Sequence, residues 1–254
     1  MMLVTCLCGV QIEGADAASL NDAYWAHTDG QHGEFKISAA RRQNATDALL
    51  RTGGWDGERT PLGSDIEIRP LTPASRDDYL RYFDTDAFPD NPAWASCYCI
   101  SYNIDMKSED FEERSAAENR AEKGRMIDSG AATGVMAYSG GRVVGWCNAG
   151  PRTSLPLLDK YPEFAAEDLA TAGAIVCFVI APPYRGQGLA RRLLDGACDM
   201  LRDRGLTRVY AYPPKRASTD AGSYHGKLSM YLSAGFEETG AATSGYVVVR
   251  KALT

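Results

Sequence analysis

One short segment of this 254-residue chain has the composition of an anion-binding turn. It is Arg185-Gly-Gln-Gly-Leu-Ala190, which follows two prolines at the end of an apolar run and opens a helical pattern. The first N–H groups of a helix lack intrahelical partners and carry partial positive charge, and small residues let a ligand approach them. Such a turn binds a phosphate or pyrophosphate. The alternative is a tight strand-to-helix turn without a ligand.

A second group has the residue types of a metal site. Cys6 and Cys8 are two residues apart, so in an extended segment they point to the same side. His27 lies in a predicted helix over residues 16–27, and His32 follows just beyond it. Four such ligands suit tetrahedral Zn²⁺ of a structural kind, since no coordination position stays open. The alternative is a small strand–helix unit packed on the main domain.

Composition excludes several classes of protein. Lys plus Arg number 27 and Asp plus Glu 33, and the net charge of −6 disfavours nucleic acid. The longest uncharged stretch, Leu169 to Tyr184, has 16 residues and two prolines, too few for the roughly 20 that cross a membrane. No basic segment precedes the apolar N-terminus, so we expect a cytoplasmic protein. Seven cysteines then indicate reduced thiols or metal ligands.

The glycines indicate where the chain divides. Residues 52–64 contain four glycines and a proline, which predicts a linker. Residues 1–51 are too few for a good core without a metal or a partner surface, so we interpret them as a small Cys/His module. Residues 65–254 form the main domain.

Hydrophobic patterns in the main domain predict strand, helices, hairpin, strand, helix, strand, helix and strand, which is an α/β domain with a mixed sheet. The predicted strands are 65–70, 134–138, 142–147, 174–180, 208–212 and 245–250, and the predicted helices start at 72 or cover 108–129, 188–204 and 229–234.

Three motifs occur in a known order. Arg185–Ala190 is preceded by Ile180-Ala-Pro182, Asp65–Thr72 looks like a first strand, and Met230-Tyr-Leu-Ser-Ala-Gly-Phe236 comes late. Together they resemble the GNAT superfamily of acetyl-CoA-dependent N-acetyltransferases over about residues 65–254. The resemblance implies a mixed, mostly antiparallel sheet flanked by helices, here preceded by the small module.

The resemblance also implies roles for particular residues. The backbone of one strand would pair with the pantetheine arm of acetyl-CoA, and the turn would hold its pyrophosphate. The residues in these roles are Phe178, Val179 and Ile180 on the strand, and Arg185, Gly186, Gln187, Gly188, Leu189, Ala190 and Arg191 at the turn. Tyr231 matches the tyrosine that protonates the leaving thiolate, and its alternative is a core aromatic residue. The amine would attack acetyl-CoA directly.

Two positions depart from the family pattern. Val176 and Cys177 stand where many members carry a glutamate base, and Tyr224 stands where many carry an asparagine that contacts the cofactor. The family pattern therefore does not identify the general base that deprotonates the amine. The candidates for it are Asp86, Asp90, Glu118 and His225.

An aromatic segment, Asp90–Tyr102, lies where the family builds its acceptor pocket. Trp94, Tyr98 and Trp146 would line an apolar or cation-binding wall, or else pack in the core. Cys97 and Cys99 lack the spacing of thiol oxidoreductases, which disfavours a redox role.

The resulting hypothesis is an N-acetyltransferase that acetylates the amine of a small molecule. The acidic surface favours cationic acceptors such as polyamines or aminoglycoside-like antibiotics. The alternative is an acyl-CoA-binding sensor or interaction module with little catalysis, which the missing glutamate favours and Tyr231 disfavours. By analogy with the family, the resemblance also suggests a homodimer.

Overall fold

The structure is a computed structural model, and it describes residues 1–6, 8–32, 37–106, 108–164, 168–216, 223–241 and 245–254. All structural statements below concern these residues.

The described strands form a two-stranded and a seven-stranded sheet. The strands are β1 (Met2–Thr5), β2 (Gln11–Gly14), β3 (Glu67–Pro70), β4 (Gly134–Ser139), β5 (Arg142–Pro151), β6 (Ala172–Ile180), β7 (Arg208–Ala211), β8 (Glu237–Ala241) and β9 (Val247–Ala252). The large sheet has the order β3-β4-β5-β6-β7-β9-β8. Every pair in it is antiparallel except β6 with β7, which confirms the predicted mixed, mostly antiparallel sheet.

The parallel pair separates part-way along its length. Pairing of β6 with β7 ends at Ile175 and Ala211, while β6 continues to Ile180 beside β5. The last five residues of β6 therefore have one edge that no strand of the described ranges covers. This opening, at the carboxyl ends of the two strands, is where α/β sheets commonly bind ligands.

Five of the described helices lie in the domain that contains the large sheet, and two belong to the N-terminal segment. The helices are α1 (Ala17–His32), α2 (Ala39–Thr52), α3 (Arg76–Arg81), α4 (Ser108–Glu112), α5 (Ala116–Asp128), α6 (Leu189–Asp203) and α7 (Leu228–Ser233). Leu189, Leu193 and Ala197 on α6 are buried against the sheet. Each fully buried leucine contributes about 1.5–3 kcal/mol, and this burial fixes the start of α6 beside the end of β6.

Residues 1–51, predicted as a separate unit and called the N-terminal module below, form the β1–β2 hairpin, α1 and most of α2. The module packs on the main domain through Asn44, whose side chain donates to the carbonyl of Arg114 (2.9 Å) and accepts from the amide of Ala116 (2.9 Å). The amide of Thr5 donates to the carbonyl of Asp90 (2.6 Å). The module therefore contacts both the α4–α5 region and the segment that leads toward the opening.

Some predicted elements differ from the structure. The helix predicted over residues 108–129 is two helices, because Ser115 and Glu118 form a capping box that starts α5 anew. Helix α1 extends to His32 instead of ending at His27, since a glycine at position 30 is tolerated inside it. No helix in the described ranges is long and apolar enough to cross a membrane.

Candidate active site

A cleft of about 1370 Å³ lies at the opening between β6 and β7. Its walls come from the end of β6, the start of α6, the segment before α7, the aromatic segment predicted above, and the β1–β2 turn of the N-terminal module. The predicted turn and strand residues Phe178, Val179, Ile180, Arg185, Gly186, Gly188, Leu189, Ala190 and Arg191 all line it.

The turn before α6 presents unpaired backbone donors. Gly186 (φ 73°) and Gly188 (φ 84°) adopt the left-handed conformation that favours glycine. No hydrogen bond is donated by the amides of residues 186–190 to any described residue. A Cβ built on Gly188 meets no atom within 4 Å, so space is open in front of these amides. The turn can therefore accept a phosphate at the start of a 15-residue helix.

The two arginines at the turn already have partners. Arg185 forms an ion pair with Asp90 (Nη2 to Oδ1, 3.1 Å), and its Nε donates to the carbonyl of Ile180 (2.9 Å). Arg191 pairs with Asp195, one turn further along α6 (3.0 Å). Arg185 therefore braces the turn against β6, and Arg191 remains on the cleft wall with a neutralised charge.

The predicted linker, residues 52–64, lies along this turn. The Gln187 side chain accepts from the amide of Leu62 (2.8 Å) and donates to the carbonyl of Thr60 (2.8 Å). Arg59 donates to the carbonyl of Arg185 (2.7 Å). The Gln187 side chain therefore holds this segment against the turn, and the predicted contact of Gln187 with the cofactor stays a prediction.

The uncovered edge of β6 is partly satisfied by the protein. The amide of Phe178 donates to the carbonyl of Tyr224 (2.6 Å), and Ile180 accepts from Arg185. Ala181 donates to Val144 (3.1 Å), so Ala181 faces β5 and the neighbouring amide of Ile180 faces the opening. The amide of Ile180 and the carbonyl of Phe178 are thus the groups that remain for an extended ligand arm.

Tyr231 lies under this edge, not on the cleft wall. Its side chain is fully buried, and its hydroxyl donates to the carbonyl of His225 (2.7 Å). Burial raises the pKa of this phenol well above its usual value, so it stays protonated. To protonate a leaving thiolate, the hydroxyl has to break its hydrogen bond to the His225 carbonyl and donate to the thiolate instead. The acid role of Tyr231 therefore stays a prediction.

Aromatic residues form the wall opposite the turn. Tyr102, Tyr224 and Tyr246 surround His225, whose Nε2 lies 3.1 Å from the Tyr102 hydroxyl. Burial lowers the pKa of His225 to about 3, so its ring is neutral. Trp94 packs on Tyr224 at 5.6 Å between ring centroids and also lines the cleft. Tyr98 and Trp146, predicted as possible wall residues, are instead buried in the core.

Cys99 lines the cleft with its side chain, and its backbone carbonyl binds a buried ammonium. Cys177 lines the cleft as well, and the Nδ2 of Asn148 lies 3.4 Å from the Cys99 sulfur. The Lys123 ammonium is completely buried and donates to the carbonyl of Cys99 (3.2 Å) and to Asn103 (3.1 Å). In the described parts of the chain, no carboxylate pairs with Lys123.

This environment favours a thiolate at Cys99. Burial alone raises the pKa of a thiol, but the Cys177 thiol, the Lys123 ammonium and the Asn148 amide together lower the pKa of Cys99 below its usual value. Cys99 also has φ 43°, the left-handed region that non-glycine residues rarely adopt. Cys99 thus lines the cleft from a backbone conformation that costs energy.

The other base candidates are committed elsewhere. Asp86 pairs with Arg81 and Arg142, and Glu118 caps α5 in an exposed position. Asp90 reaches the cleft only as the partner of Arg185. Of the four base candidates, Asp90 and His225 line the cleft, and His225 is the one of these two that has no ion pair among the described residues.

A sequence model described as the Acetyltransferase (GNAT) family matches residues 96–235, which is more than half of the chain. The chain belongs to this family. Family membership confirms the resemblance and supports acetyl-CoA as the co-substrate of this GNAT acetyltransferase. The matched range contains both the turn and the Cys99–Lys123 pair.

Solved structures similar to this GNAT acetyltransferase include three from different organisms. An N-acetyltransferase from Staphylococcus aureus Mu50 is 14% identical, with 75% of this chain and 100% of that chain covered and a TM-score of 0.46. The putative acetyltransferase yncA from Salmonella typhimurium, solved with its cofactor acetyl-CoA, is 17% identical (75% and 95% covered, TM-score 0.41). A paia N-acetyltransferase from Thermoplasma acidophilum, solved with coenzyme A, is 13% identical (74% and 98% covered, TM-score 0.42). Comparison with curated proteins gives no match.

The structure of this GNAT acetyltransferase also gathers the four predicted metal ligands, Cys6, Cys8, His27 and His32, into one cluster. Sequence reasoning did not select Lys123. The signal in the sequence was its position four residues before the buried Ile127, on the same face of α5. That signal is weak, because lysine in a helix is usually exposed.

Proposed function

We propose that this protein transfers the acetyl group of acetyl-CoA directly onto the amine of a small molecule. The observation that carries the proposal is the turn at residues 186–190, whose unpaired amides face a cleft that continues to the Cys99 sulfur. The anionic end of acetyl-CoA would bind at this turn. Its arm would follow β6, where the Ile180 amide and the Phe178 carbonyl remain for it.

Cys99 is our candidate for the base. An amine arrives largely as an ammonium ion and must lose a proton before it can attack. The Cys99 thiolate takes that proton and becomes a thiol, and the amine nitrogen then adds to the thioester carbonyl. The tetrahedral intermediate collapses, the C–S bond of acetyl-CoA breaks, and the nitrogen loses its second proton to water as the amide forms. Cys99 then returns the proton it took to solvent. A base with a pKa near the working pH is the effective one, and the Cys177 thiol, followed by Lys123, lowers the pKa of Cys99 toward that range.

The leaving thiolate needs a proton donor. Tyr231 keeps its proton at neutral pH, and its hydroxyl lies at the β6 edge on the carbonyl of His225. We propose that Tyr231 supplies this proton. Tyr224 is the natural comparison, because it is also a protonated phenol and it lines the cleft directly.

The cleft lining indicates the kind of acceptor. Among the described lining residues the single carboxylate is Asp90, which Arg185 neutralises, while Trp94, Tyr102, Tyr161 and Tyr246 supply aromatic surface. Aromatic faces attract a cation without a salt bridge. We therefore propose a compact monoamine with an apolar or aromatic body, ahead of the polyamines and aminoglycoside-like antibiotics that net charge alone favours.

The test is release of free coenzyme A thiol from acetyl-CoA with a panel of arylalkylamines, polyamines, aminoglycosides and amino acids. Turnover with arylalkylamines supports the proposal. Tyr231→Phe should lower kcat at least tenfold with unchanged affinity for acetyl-CoA, whereas Tyr224→Phe should mainly change the KM of the amine. Binding of acetyl-CoA without turnover on any amine would instead favour the sensor, for which the occupied Phe178 amide is the supporting observation.

A further inference from the structure

The four side chains in the N-terminal module come from two elements that face each other. Cys6 and Cys8 lie at the β1–β2 turn, and His27 and His32 lie on α1. One ligand atom from each residue lies within 4.8 Å of all the others. The Cys8 sulfur lies 3.3 Å from Nε2 of His27.

These distances are close to those of a filled tetrahedral site. Zinc with sulfur at about 2.3 Å and nitrogen at about 2.0 Å places neighbouring ligand atoms about 3.3–3.8 Å apart. The cluster therefore needs shifts of only about 1 Å to enclose an ion. Two thiolates and two imidazoles prefer zinc to the hard cations, which bind oxygen ligands.

The module has a physical need for such a tie. Its buried apolar cluster consists of Val4, Cys6, Ile12, Leu20, Tyr24 and Leu49. So few buried side chains stabilise a hairpin on a helix weakly, and small domains commonly compensate with a metal. The cysteine pair and the histidine pair are placed where one ion would join the hairpin to α1.

We propose that Cys6, Cys8, His27 and His32 bind one structural Zn²⁺ that ties the β1–β2 hairpin to α1. Four protein ligands complete the tetrahedron, so the ion has no open position for substrate or water. The thiols bind as thiolates and the imidazoles as neutral rings, and their protons are released to solvent.

The site also borders the cleft. Cys6, Cys8 and Gly9 line the same cleft as Gly186 and Gly188. Thr5, which precedes Cys6 and ends β1, donates its amide to the carbonyl of Asp90 (2.6 Å). Asp90 itself pairs with Arg185 of the turn. Zinc would therefore fix the wall that faces the turn, and this consequence for acetyl-CoA binding rests on the function proposed above.

The first experiment measures zinc in the full-length protein and titrates Co²⁺ into metal-depleted protein. We expect one equivalent of zinc per chain, with a Kd below about 1 μM. The cobalt-loaded protein should show the d–d bands and the sulfur-to-metal charge-transfer absorption of a tetrahedral thiolate site. Cys8→Ser and His32→Gln should each lose the metal, while Cys198→Ser, a buried thiol on α6 outside the cluster, should keep it. Less than one-tenth equivalent of zinc together with no tetrahedral cobalt spectrum would overturn the proposal.

Thermal unfolding guards against variants that fail to fold. Zinc added to metal-depleted wild type should raise Tm, because a ligand that binds only the folded state stabilises it. An unchanged Tm with saturating zinc counts against the site. Acetyl-CoA affinity should fall severalfold on metal depletion and return with zinc. If affinity is equal with and without metal, the link to the cleft is wrong, and if neither form binds acetyl-CoA, the proposed function fails while the metal content still decides the site.

Discussion

At the scale of single residues, Lys123 contributes, after the Cys177 thiol, to the lowered pKa that we assign to Cys99. Replacing Lys123 by Met removes the ammonium that favours the thiolate, so the pKa of Cys99 should rise. The acidic limb of the kcat–pH profile should then move to higher pH, and kcat should fall most on the acid side. Steady-state kinetics at saturating substrates from pH 5 to pH 9 measure this shift.

Two comparisons make the result interpretable. Cys99→Ser should remove the limb and lower kcat by about 10²-fold, the usual size of general base catalysis. Cys198→Ser should leave the profile unchanged, because that thiol lies outside the cleft lining. If the limb stays in place in Lys123→Met, Cys99 is not the base that titrates in it.

His225 gives a prediction about stability that does not depend on catalysis. Its folded pKa of about 3 lies below the usual 6.5, so between these values the unfolded chain binds a proton that the folded chain does not. Stability is therefore present above pH 6.5 and is lost as pH falls. Between pH 8 and pH 5 the wild type should lose about 2 kcal/mol more than His225→Gln, which cannot titrate.

Urea unfolding of both proteins at several pH values measures this difference. The remaining titrating groups are shared by the two proteins and cancel in the comparison. A gap between wild type and variant that does not change with pH would show that His225 is accessible to protons in the folded state.

At the scale of elements, the glycine turn allows ligand approach to be separated from backbone strain. Gly188 begins α6 with φ 84°, and Gly205 follows the other end of the same helix with φ 81°. A Cβ on either residue meets no atom within 4 Å. Each change to Ala should therefore cost the same, about 1–2 kcal/mol of left-handed strain.

Only Gly188→Ala places a methyl group in front of the free amides of the turn. We expect its affinity for acetyl-CoA to fall at least tenfold by calorimetry, with the affinity of Gly205→Ala unchanged. Equal affinities in the two variants would argue that the turn does not hold the phosphates.

The elements also show how far sequence reasoning reached. The turn at Arg185–Ala190 was predictable because its signal is local: a β-branched strand, two prolines, glycines and an amphipathic helix follow one another. The strand β8 was missed, because Glu237–Ala241 has neither apolar alternation nor β-branched enrichment. Helix α2 was missed as well, since its few buried residues include Asn44 and alanines.

The site residues also divide into those that have a local signal in the sequence and those that only the packing brings together. Cys6, Cys8, His27 and His32 were selected by residue type, and the fold brings them together, although His32 lies within α1 and not after it. Lys123 meets Cys99 only through packing of α5 on the aromatic segment, and a single sequence carries no record of such a meeting. The same holds for the Tyr224 carbonyl on the Phe178 amide, which closes part of the edge expected to be open.

At the scale of the whole molecule, the N-terminal module and the acetyltransferase domain should unfold together. Asn44 on α2 satisfies the carbonyl of Arg114 and the amide of Ala116, and Arg51 donates to the carbonyl of Asp84 (2.8 Å). Trp25 lies in the module and Trp146 in the main core, so each body has its own fluorophore. The test uses two proteins that each retain a single tryptophan, Trp25 or Trp146. With Asn44 unchanged, we expect their urea unfolding curves to coincide.

Asn44→Ala should break this coincidence. Loss of its side chain leaves two half-buried backbone groups without these partners, which costs about 1–2 kcal/mol. The Trp25 signal should then change at lower urea than the Trp146 signal. Gln43→Ala is the matched control, because the neighbouring Gln43 bonds only within its own helix, to Asp47 (2.7 Å). Coincident curves in Asn44→Ala would mean that the other contacts, such as Thr5 with Asp90, suffice to join the module to the cleft wall, and the affinity of that variant for acetyl-CoA should then equal that of the wild type.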